Sequence, residues 1–465
     1  MNNSYENLIQ NQRNFFRNGT TKRLEFRKEM LKRLKKAILK HESAIIEALY
    51  NDLGKSEAEA VSTEIGMILN EINGVLKHLP QWRKKERAKT NLFNLPGKSY
   101  TIREPYGVTL IIGPWNYPFQ LVMAPLVGAI AGGNTAVVKP SEIASHTAAV
   151  IDLILSETFD REYIAVVQGG IPETNELMEL RYDKIFFTGS TKVGSLIMEK
   201  AARHLTPVVL ELGGKSPTVI DRTANLDIAV RRIVFGKGTN AGQTCVAPDY
   251  VLIHEEVKEA FYQMFEKVSN EFYTDSAVHN NDFGKIINER NYERVKGYLQ
   301  DGRIVFGGGT DDENRKIELT LVEVQDLEKP IMREEIFGPV LPVISFRNYD
   351  EITAIIHRNP DPLAMYIFSE DRQFIEHLIR DIPFGGGCVN DTIMHLTNEH
   401  LPFGGRGTSG IGNYHGRHSY DTFTHKKAIL HSSTRFDLKM KYPPAMKKSL
   451  NLIKRLMYGS INGSR

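Results

Sequence analysis

The fold of the chain is indicated most clearly by the stretch Ile185-Phe186-Phe187-Thr188-Gly189-Ser190-Thr191-Lys192-Val193-Gly194. An apolar run leads into a glycine turn, and the residues after the turn suit the start of a helix. Backbone N–H groups at such a helix N-terminus can bind a pyrophosphate. The glycines follow the spacing G-x-x-x-x-G, which does not match the dinucleotide fingerprint G-x-G-x-x-G. A plain strand-to-helix turn therefore remains the alternative.

The alternation of strands and helices continues on both sides of this stretch. Strands are predicted at residues 108–112, 135–139, 164–167, 184–188, 207–210 and 420–430. Helices are predicted at residues 24–53, 62–82, 146–159, 191–203, 226–234 and 258–272, the last two in a second α/β unit over residues 213–395. Strands that alternate with helices predict parallel, doubly wound sheets. In such sheets, ligands bind beyond the carboxyl ends of the strands.

The composition is that of a globular protein, with 41% hydrophobic and 25% charged residues. The length of 465 residues predicts two or three domains. The net charge of +3 is small and gives no reason to expect nucleic-acid binding. The histidines show no zinc-ligand spacing, and His415, His418 and His425 are interpreted as structural, so no metal is predicted.

The sequence predicts a cytoplasmic protein. Residues 1–19 are polar and carry no hydrophobic signal-peptide segment. The longest apolar stretch, residues 121–131, contains Pro125 and is shorter than the roughly 20 residues that a membrane span needs. Two cysteines cannot form a disulfide framework in so long a chain, and a catalytic thiol would need a reducing compartment.

Cys245 lies in the polar stretch Thr239-Asn240-Ala241-Gly242-Gln243-Thr244-Cys245-Val246-Ala247-Pro248. Nothing in this pattern predicts a helix or a core strand. A thiol on a loop, away from apolar neighbours, can be reached by a substrate and tuned towards the thiolate that attacks carbonyl carbon. We therefore consider Cys245 a candidate nucleophile, with a structural thiol as the alternative. Cys388, which precedes an apolar residue, is interpreted as a packing residue.

Two polar residues at predicted strand ends are candidates for catalysis. Glu211 ends an apolar strand and precedes two glycines, so burial should raise its pKa towards the range of a general base. A capping or salt-bridged acid is the alternative. Asn116, in Gly113-Pro114-Trp115-Asn116-Tyr117-Pro118, carries a neutral amide suited to an oxyanion. An Asx turn before Pro118 is an equally good local account.

Further strand ends and loops offer candidate cofactor ligands. Lys139-Pro140-Ser141-Glu142 follows a predicted strand, where Lys139 and Glu142 could hold ribose hydroxyls or simply cap a helix. Glu335 and Phe337 form an acid–aromatic pair on another loop. The segment Gly214-Lys215-Ser216 imitates a phosphate-binding P-loop, but the first glycine of that motif would fall on Val209, which excludes a nucleotidase.

Taken together, these stretches resemble the aldehyde dehydrogenase superfamily, most closely its class 3 branch. The matching motifs include Pro114-Trp115-Asn116-Tyr117-Pro118, Glu211-Leu212-Gly213-Gly214-Lys215-Ser216-Pro217, Gly242-Gln243-Thr244-Cys245, Glu335-Ile336-Phe337-Gly338-Pro339 and Leu401-Pro402-Phe403-Gly404-Gly405. The match spans roughly residues 20 to 430, and the unusual glycine spacing after the strand at 184–188 is a feature of this family.

The resemblance implies a role for each candidate. Cys245 would be the nucleophile, Glu211 the general base, and Asn116 an oxyanion donor together with the Cys245 backbone N–H. NAD would be the cofactor, because the carboxylate of Glu142 should repel a 2′-phosphate, although class 3 relatives often tolerate NADP. The implied cofactor-binding set is Gly113, Trp115, Lys139, Glu142, Gly189, Ser190, Val193, Gly194, Leu212, Glu335 and Phe337.

The resemblance also implies the architecture: two doubly wound α/β domains, one of them Rossmann-like, with a β arm for oligomerisation. The cofactor-binding domain would comprise residues 1–82 and 103–210, and the catalytic domain residues 211–398. Residues 83–102 and 420–432 would form the arm of a homodimer. Residues 443–458 form a basic amphipathic tail, with Met446, Leu450, Ile453 and Met457 on one stripe, that would lie on an anionic membrane or pack between subunits.

The expected activity is oxidation of an aldehyde to the free carboxylic acid through a thiohemiacetal and a thioester on Cys245. Class 3 relatives favour medium-chain, long-chain or aromatic aldehydes, and some bacterial relatives oxidise apocarotenoid aldehydes. One alternative is an acylating dehydrogenase that passes the thioester to coenzyme A, but Glu211 argues against it, since only hydrolysis needs a base that activates water. The non-enzymatic alternative is a binding or structural protein on an inactive dehydrogenase scaffold.

Overall fold

The computed structural model describes residues 3–274 and 276–458. These residues form two compact units. The first contains residues 3–82 and 105–425, and the second contains residues 83–104 and 426–458. No helix in the described ranges combines the length and the apolar character that a bilayer crossing requires.

The strands are numbered along the chain. They are β1 Glu86–Ala88, β2 Lys98–Pro105, β3 Val108–Ile112, β4 Thr135–Lys139, β5 Ile164–Val166, β6 Lys184–Thr188, β7 Val208–Glu211, β8 Pro217–Ile220, β9 Tyr250–His254, β10 Arg303–Phe306, β11 Thr310–Asp311, β12 Lys316–Ile317, β13 Thr320–Glu323, β14 Val340–Phe346, β15 Ala364–Phe368, β16 Gly386–Val389, β17 Gly410–Ile411 and β18 Thr424–His431.

The α-helices are numbered in the same way. They are α1 Asn3–Arg17, α2 Leu24–Lys40, α3 Glu42–Leu53, α4 Glu57–Ala60, α5 Gly66–Trp82, α6 Gln120–Gly132, α7 Ser145–Thr158, α8 Ile171–Met178, α9 Thr191–Ala202, α10 Leu226–Gly238, α11 Lys258–Tyr273, α12 Glu289–Gly297, α13 Pro330–Arg333, α14 Tyr349–Ile356, α15 Arg372–Asp381, α16 Gly416–Thr422, α17 Ala445–Lys448 and α18 Leu450–Tyr458.

The first large sheet has the strand order β17-β7-β6-β3-β4-β5. Neighbouring strands from β7 to β5 are parallel, and the short β17 joins the edge antiparallel, with Gly410 opposite Glu211. Every residue of β3, β4 and β6 is buried, as expected for parallel strands that are covered on both faces. Helix α6 is also buried along its whole length, which explains why its sequence is apolar all round.

The second large sheet has the order β10-β13-β14-β9-β8-β15-β16. Its neighbours are parallel except for β10, which pairs antiparallel with β13. The strands β8, β9 and β15 are buried throughout. The prediction of parallel, doubly wound α/β architecture is thus confirmed by both sheets.

The second unit is built on the three-stranded sheet β1-β2-β18. Strands β1 and β2 form an antiparallel hairpin. Within this unit, Lys426 pairs with Glu86 at 2.7 Å and Lys427 with Glu104 at 2.5 Å. The unit ends with the short helices α17 and α18.

Four sequence predictions are wrong in detail. The helix predicted at residues 24–53 is two helices, because the backbone leaves helical geometry at His41 (φ −105°, ψ 15°). The helix predicted at 62–82 begins instead with a π-helical turn, Val61–Ile65, before α5. The strand predicted at 420–430 starts only at Thr424, because Ser419 and Tyr420 are buried on α16. The single stripe predicted on the tail is likewise divided at Ser449, between α17 and α18.

Candidate active site

The carboxyl ends of β3, β6 and β7 carry most of the predicted site residues. They border a cavity of about 260 Å³, which we call the polar cavity. The predicted residues in its wall are Trp115, Asn116, Gly189, Ser190, Glu211, Leu212, Cys245, Glu335 and Phe337. The structure therefore brings together residues that are up to 222 positions apart in the chain.

Five of the predicted cofactor residues lie outside this wall. Gly113 follows β3 directly, where a Cβ would overlap the side chain of Val122. Lys139 ends β4, and its Nζ donates to the carbonyl of Pro140 (2.9 Å) and lies 3.5 Å from the carboxylate of Glu142. Val193 and Gly194 lie in the first turn of α9.

The N-terminus of α9 is capped by the side chain of Ser190, the residue just before the helix. Ser190 Oγ accepts a hydrogen bond from the N–H of Val193 at 3.4 Å, as an N-cap residue does. Gly194 lets this turn approach the strand β7, since a Cβ at Gly194 would lie 2.5 Å from a methyl carbon of Leu212. The first turn of α9 is therefore held against the end of β7, beside the polar cavity.

A second cavity, of about 240 Å³, adjoins the first, and we call it the apolar cavity. Its wall is mostly aliphatic and aromatic, with Phe235, Leu363, Ile393, Met394, Phe403 and Tyr414 among its residues. Cys245 and Glu211 line both cavities. A thiol and a carboxyl group thus lie where an apolar chamber meets a polar one.

The loop before Cys245 has an unusual backbone. Asn240, Ala241 and Gly242 follow one another with positive φ angles of 52°, 49° and 72°. At Gly242 a Cβ would overlap the carbonyl oxygen of Gly338, so only glycine fits. Gln243 holds the loop from inside: its Nε2 donates to the carbonyl of Lys285 and its Oε1 accepts the N–H of Ile287, both at 3.0 Å.

Asn116 and Tyr117 are joined to this loop by their side chains. The Nδ2 of Asn116 donates to the carbonyl of Gln243 at 3.0 Å. The hydroxyl of Tyr117 lies 2.7 Å from Oγ1 of Thr244. The predicted oxyanion donor is therefore fixed to the residue that lies two positions before Cys245.

The electrostatics of Cys245 contradict one expectation. Burial, together with the nearby carboxyl groups of Glu335 and Glu211, raises the pKa of the Cys245 thiol to about 12. The thiol packs against the hydrophobic core instead of lying in polar surroundings. The prediction that its environment favours the thiolate is therefore wrong for the protein alone, because the apolar and acidic neighbours come from distant parts of the chain.

The predicted rise in the pKa of Glu211 is confirmed. Burial raises the pKa of this carboxyl well above its usual range. Neither of its oxygens has a hydrogen-bond partner among the described residues. An unpartnered buried carboxyl group costs free energy, so its persistence beside a thiol indicates a functional group more than a structural one.

Glu335 also lines the polar cavity. Burial and the charge of Asp249 raise the pKa of this carboxyl to about 8. Its Oε1 has no hydrogen-bond partner in the described part of the chain. A Cβ at Gly213 would overlap its Oε2, so the backbone passes very close to the carboxyl group. Phe337 meets Trp115 edge-to-face, with ring centroids 5.2 Å apart.

These features fit a dinucleotide cofactor. The unpartnered oxygen of Glu335 is an acceptor for ribose hydroxyls, and Phe337 supplies an apolar surface for a flat ring. The N-terminus of α9 offers N–H groups to a pyrophosphate. The ammonium of Lys139 and the partly exposed carboxylate of Glu142 form a pair that can bind a second ribose.

Cys388, which was predicted to be a packing residue, has a polar neighbour. Its Sγ lies 3.6 Å from Nδ1 of His395, and both side chains are partly buried. His415, which was interpreted as structural, stacks on Phe403 with centroids 5.2 Å apart and also lines the apolar cavity. Burial lowers the pKa of His415 to about 4.

Several residues of the site were missed from the sequence. Asn291 and Arg294, on α12, line the polar cavity, and no motif in their surroundings indicates it. Asn240 and Gln243 support the loop before Cys245, and their place in the polar stretch around that cysteine was the available signal. Lys55 is fully buried, although its local sequence is that of an exposed turn.

The chain belongs to the aldehyde dehydrogenase family, whose model matches residues 2–429. It is therefore an oxidoreductase that converts an aldehyde into a carboxylic acid, and its cofactor is NAD or NADP. The predicted family and the predicted enzyme class are confirmed.

Two relatives and one solved structure show the degree of similarity. The chain is 50% identical over 432 residues to the 4,4'-diaponeurosporen-aldehyde dehydrogenase of Staphylococcus aureus, covering 92% of this chain and 94% of the relative. It is 43% identical over 455 residues to aldehyde dehydrogenase family 3 member A2 of Mus musculus, covering 97% and 94%. The structure described as the substrate-bound state of Staphylococcus aureus AldH superposes with a TM-score of 0.95 at 48% identity, covering 97% of this chain and 99% of that one. These similarities confirm the resemblance to class 3.

Proposed function

We propose that the chain oxidises lipophilic aldehydes, of medium or long chain or aromatic, to free acids, with Cys245 as the nucleophile. The proposal rests on one observation: Cys245 and Glu211 together line both the apolar and the polar cavity. An apolar chamber on one side of the thiol suits a hydrocarbon chain or ring. A polar chamber on the other side suits the cofactor.

The first step is addition of the Cys245 sulfur to the carbonyl carbon, which gives a thiohemiacetal and places negative charge on the former carbonyl oxygen. The amide of Asn116 and the backbone N–H of Cys245 donate hydrogen bonds to that oxygen. One such donor contributes about 10²- to 10³-fold to the rate in enzymes that use oxyanion holes. The thiol proton passes to solvent in this step, which leaves Glu211 free for the later hydrolysis.

When bound, the nicotinamide would supply the hydride acceptor that oxidation of the thiohemiacetal to a thioester requires. Glu211, in its ionised form, then acts as the base that removes a proton from the water attacking the thioester. Hydrolysis releases the acid and restores the thiol. A buried carboxyl with a raised pKa suits this role, and an acylating enzyme that transfers its thioester to coenzyme A would not need it.

For the cofactor, we assign Glu335 and Phe337 to the nicotinamide riboside, the first turn of α9 with Gly189 and Ser190 to the pyrophosphate, and Lys139 with Glu142 to the adenosine ribose. The remaining predicted cofactor-binding residues would form the surroundings of these groups; they are Gly113, Trp115, Val193, Gly194 and Leu212. Glu142 favours NAD over NADP, because a carboxylate repels a 2′-phosphate.

A panel of aldehydes assayed with NAD and with NADP tests the proposal. Decanal, benzaldehyde and an apocarotenoid aldehyde are compared with propanal by the formation of reduced cofactor. We expect the lipophilic substrates to give the higher kcat/KM and Cys245→Ser to abolish turnover while still binding NAD. Cys388→Ser is the matched control and should retain activity. Turnover by Cys245→Ser, or a preference for propanal, would contradict the proposal.

The domain and partner assignments complete the proposal. Residues 1–82 and 103–210 would bind the cofactor, residues 211–398 would carry the catalytic groups, and the sheet β1-β2-β18 would join two copies in a cytoplasmic homodimer.

The tail supports a peripheral membrane contact, because Leu450, Leu452 and Met457 are exposed on α18 beside Lys454 and Arg455. Light scattering tests the dimer. Co-sedimentation with anionic liposomes, compared with a chain that ends at Tyr442, tests the tail.

A further inference from the structure

Lys55 is a buried cation to which the chemistry above gives no role. It lies between α3 and α4, and its side chain is 0% exposed. Its Nζ lies 2.5 Å from Oε1 of Glu64, which is also 0% exposed. A buried ion pair is expensive to form, and its persistence calls for a reason other than stability alone.

The ammonium of Lys55 contacts the segment that carries the predicted oxyanion donor. Besides the bond to Glu64, its Nζ donates to the carbonyl of Asn116 at 3.3 Å. It also lies 3.8 Å from the centre of the Tyr117 ring, in a cation–π contact. The cation is therefore held by one carboxylate and by two consecutive residues of the Gly113–Pro118 segment.

Glu64 binds the backbone just after the Gly113–Pro118 segment. Its second oxygen, Oε2, accepts the backbone N–H groups of Phe119 at 3.0 Å and Gln120 at 2.9 Å, where α6 begins. The ion pair thus binds the backbone at Asn116 and again three and four residues later. The segment between these points has little freedom to shift.

The loop that precedes Cys245 is tied to the same carbonyl. Nδ2 of Asn240 donates to the carbonyl of Asn116 at 2.7 Å and to that of Gln243 at 3.0 Å. The carbonyl of Gln243 also accepts Nδ2 of Asn116. Asn116, Asn240 and Gln243 therefore form a closed set of hydrogen bonds, to which Lys55 is attached through the Asn116 carbonyl.

We propose that Lys55 is a positioning residue for the oxyanion donor. Paired with Glu64, it fixes the backbone of Asn116 so that the side-chain amide of Asn116 faces the carbonyl oxygen of the aldehyde that Cys245 attacks. This inference rests on the proposed function, in which Asn116 donates to that oxygen. Small displacements of catalytic groups are costly, since a shift of about 1 Å can lower a rate about 100-fold.

The test replaces both charges, because Lys55→Met alone would leave Glu64 buried and uncompensated. The double variant Lys55→Met/Glu64→Gln keeps similar side-chain shapes without the ammonium donor. We expect the rate of NADH formation in the first turnover with decanal to fall about 10- to 100-fold. The KM for NAD should stay within a factor of about two, since neither side chain lines the polar cavity.

A comparison with Asn116→Ala separates positioning from general loosening of the fold. If Lys55 acts through Asn116, adding Lys55→Met/Glu64→Gln to Asn116→Ala should lower the first-turnover rate no further. The control Lys258→Met/Glu323→Gln removes another ion pair (2.6 Å) whose residues line neither cavity. It should change the melting temperature but not the first-turnover rate.

The outcomes are distinct. Losses that multiply in the combined variant, or an unchanged rate in Lys55→Met/Glu64→Gln, would overturn the positioning role while leaving the proposed function intact. A normal rate in Asn116→Ala would instead refute the oxyanion assignment on which the inference depends. An equal loss of rate in the control variant would show that destabilisation alone explains the effect, and that result would also overturn the inference.

Discussion

The reactivity of Cys245 in the cofactor-free protein provides a direct test of the site's electrostatics. With a pKa of about 12, the thiol is ionised to about one part in 10,000 at pH 8. A cysteine of ordinary pKa, about 8.5, is about one quarter ionised at that pH. The thiolate is thus about three orders of magnitude scarcer. Because a more basic thiolate is also a better nucleophile, we expect alkylation to be about 100-fold slower than that of an ordinary cysteine.

The assay is alkylation by iodoacetamide in a Cys388→Ser background, followed by intact mass between pH 7 and pH 10. Since the thiol titrates above this range, the rate should rise about tenfold per pH unit without reaching a plateau. Glu335→Gln removes a neighbouring negative charge and should lower the thiol pKa. For each unit by which the pKa falls, the alkylation rate should rise about threefold.

The pH dependence of that substitution has a definite sign. Glu335 has a pKa of about 8, so its charge is present above pH 8 and is lost as the pH falls below it. The acceleration caused by Glu335→Gln should therefore be full at pH 9 and should fade at pH 7. Glu334→Gln is the matched control, because this neighbouring carboxylate accepts a hydrogen bond from Tyr298 and is not among the groups that raise the thiol pKa. A rate that levels off below pH 9, or Glu335→Gln without effect at pH 9, would refute the reasoning.

Three further predictions concern the base, the loop and the cofactor. Glu211→Gln should accumulate the thioester, visible as an added acyl mass on the enzyme, with hydrolysis about 10²- to 10⁴-fold slower; normal turnover would contradict the assignment. Gly242→Ala should lower the free energy of unfolding in urea by about 1–3 kcal/mol, because the φ of Gly242 is 72° and a Cβ there would overlap the Gly338 carbonyl. The control Gly297→Ala should not destabilise the protein, because Gly297 lies on a helix and a Cβ there would meet open space. Glu142→Gln should raise kcat/KM for NADP relative to NAD, and an unchanged ratio would show that this carboxylate does not select the cofactor.

The strands were predictable where burial on both faces leaves continuous apolar runs. The apolar runs of β3, β4 and β6 predicted these strands directly. The apolar run of β7 correctly placed Glu211 at a strand end. The break at His41 was not predictable, because the apolar spacing continues across it and neither glycine nor proline marks it. In the structure His41 instead contacts Glu157, a residue 116 positions away.

The site was predictable in its members but not in its electrostatics. Motifs identified Cys245, Asn116 and Glu335 one by one, yet the pKa of the thiol depends on carboxyl groups 34 and 90 positions away. Local sequence makes Lys55 look like an exposed residue, since glycine, serine and glutamate surround it. Only the approach of the Asn116 carbonyl and the Tyr117 ring shows why the chain buries it.

The protonation of Cys245 and its neighbouring carboxyl groups determines how the thiolate can form. Burial favours the neutral forms of both Cys245 and Glu211, so in the protein alone both groups hold their protons more tightly than they would in water. Each group must lose its proton before it can react. Because Glu335 has a pKa of about 8, raising the pH first adds a negative charge on Glu335, and that charge disfavours the thiolate further. Thiolate formation must therefore depend on a change in the cavity's charge or polarity when its ligands bind. The lysine–glutamate pair that holds Asn116 keeps the oxyanion donor in place while the nucleophile is still uncharged.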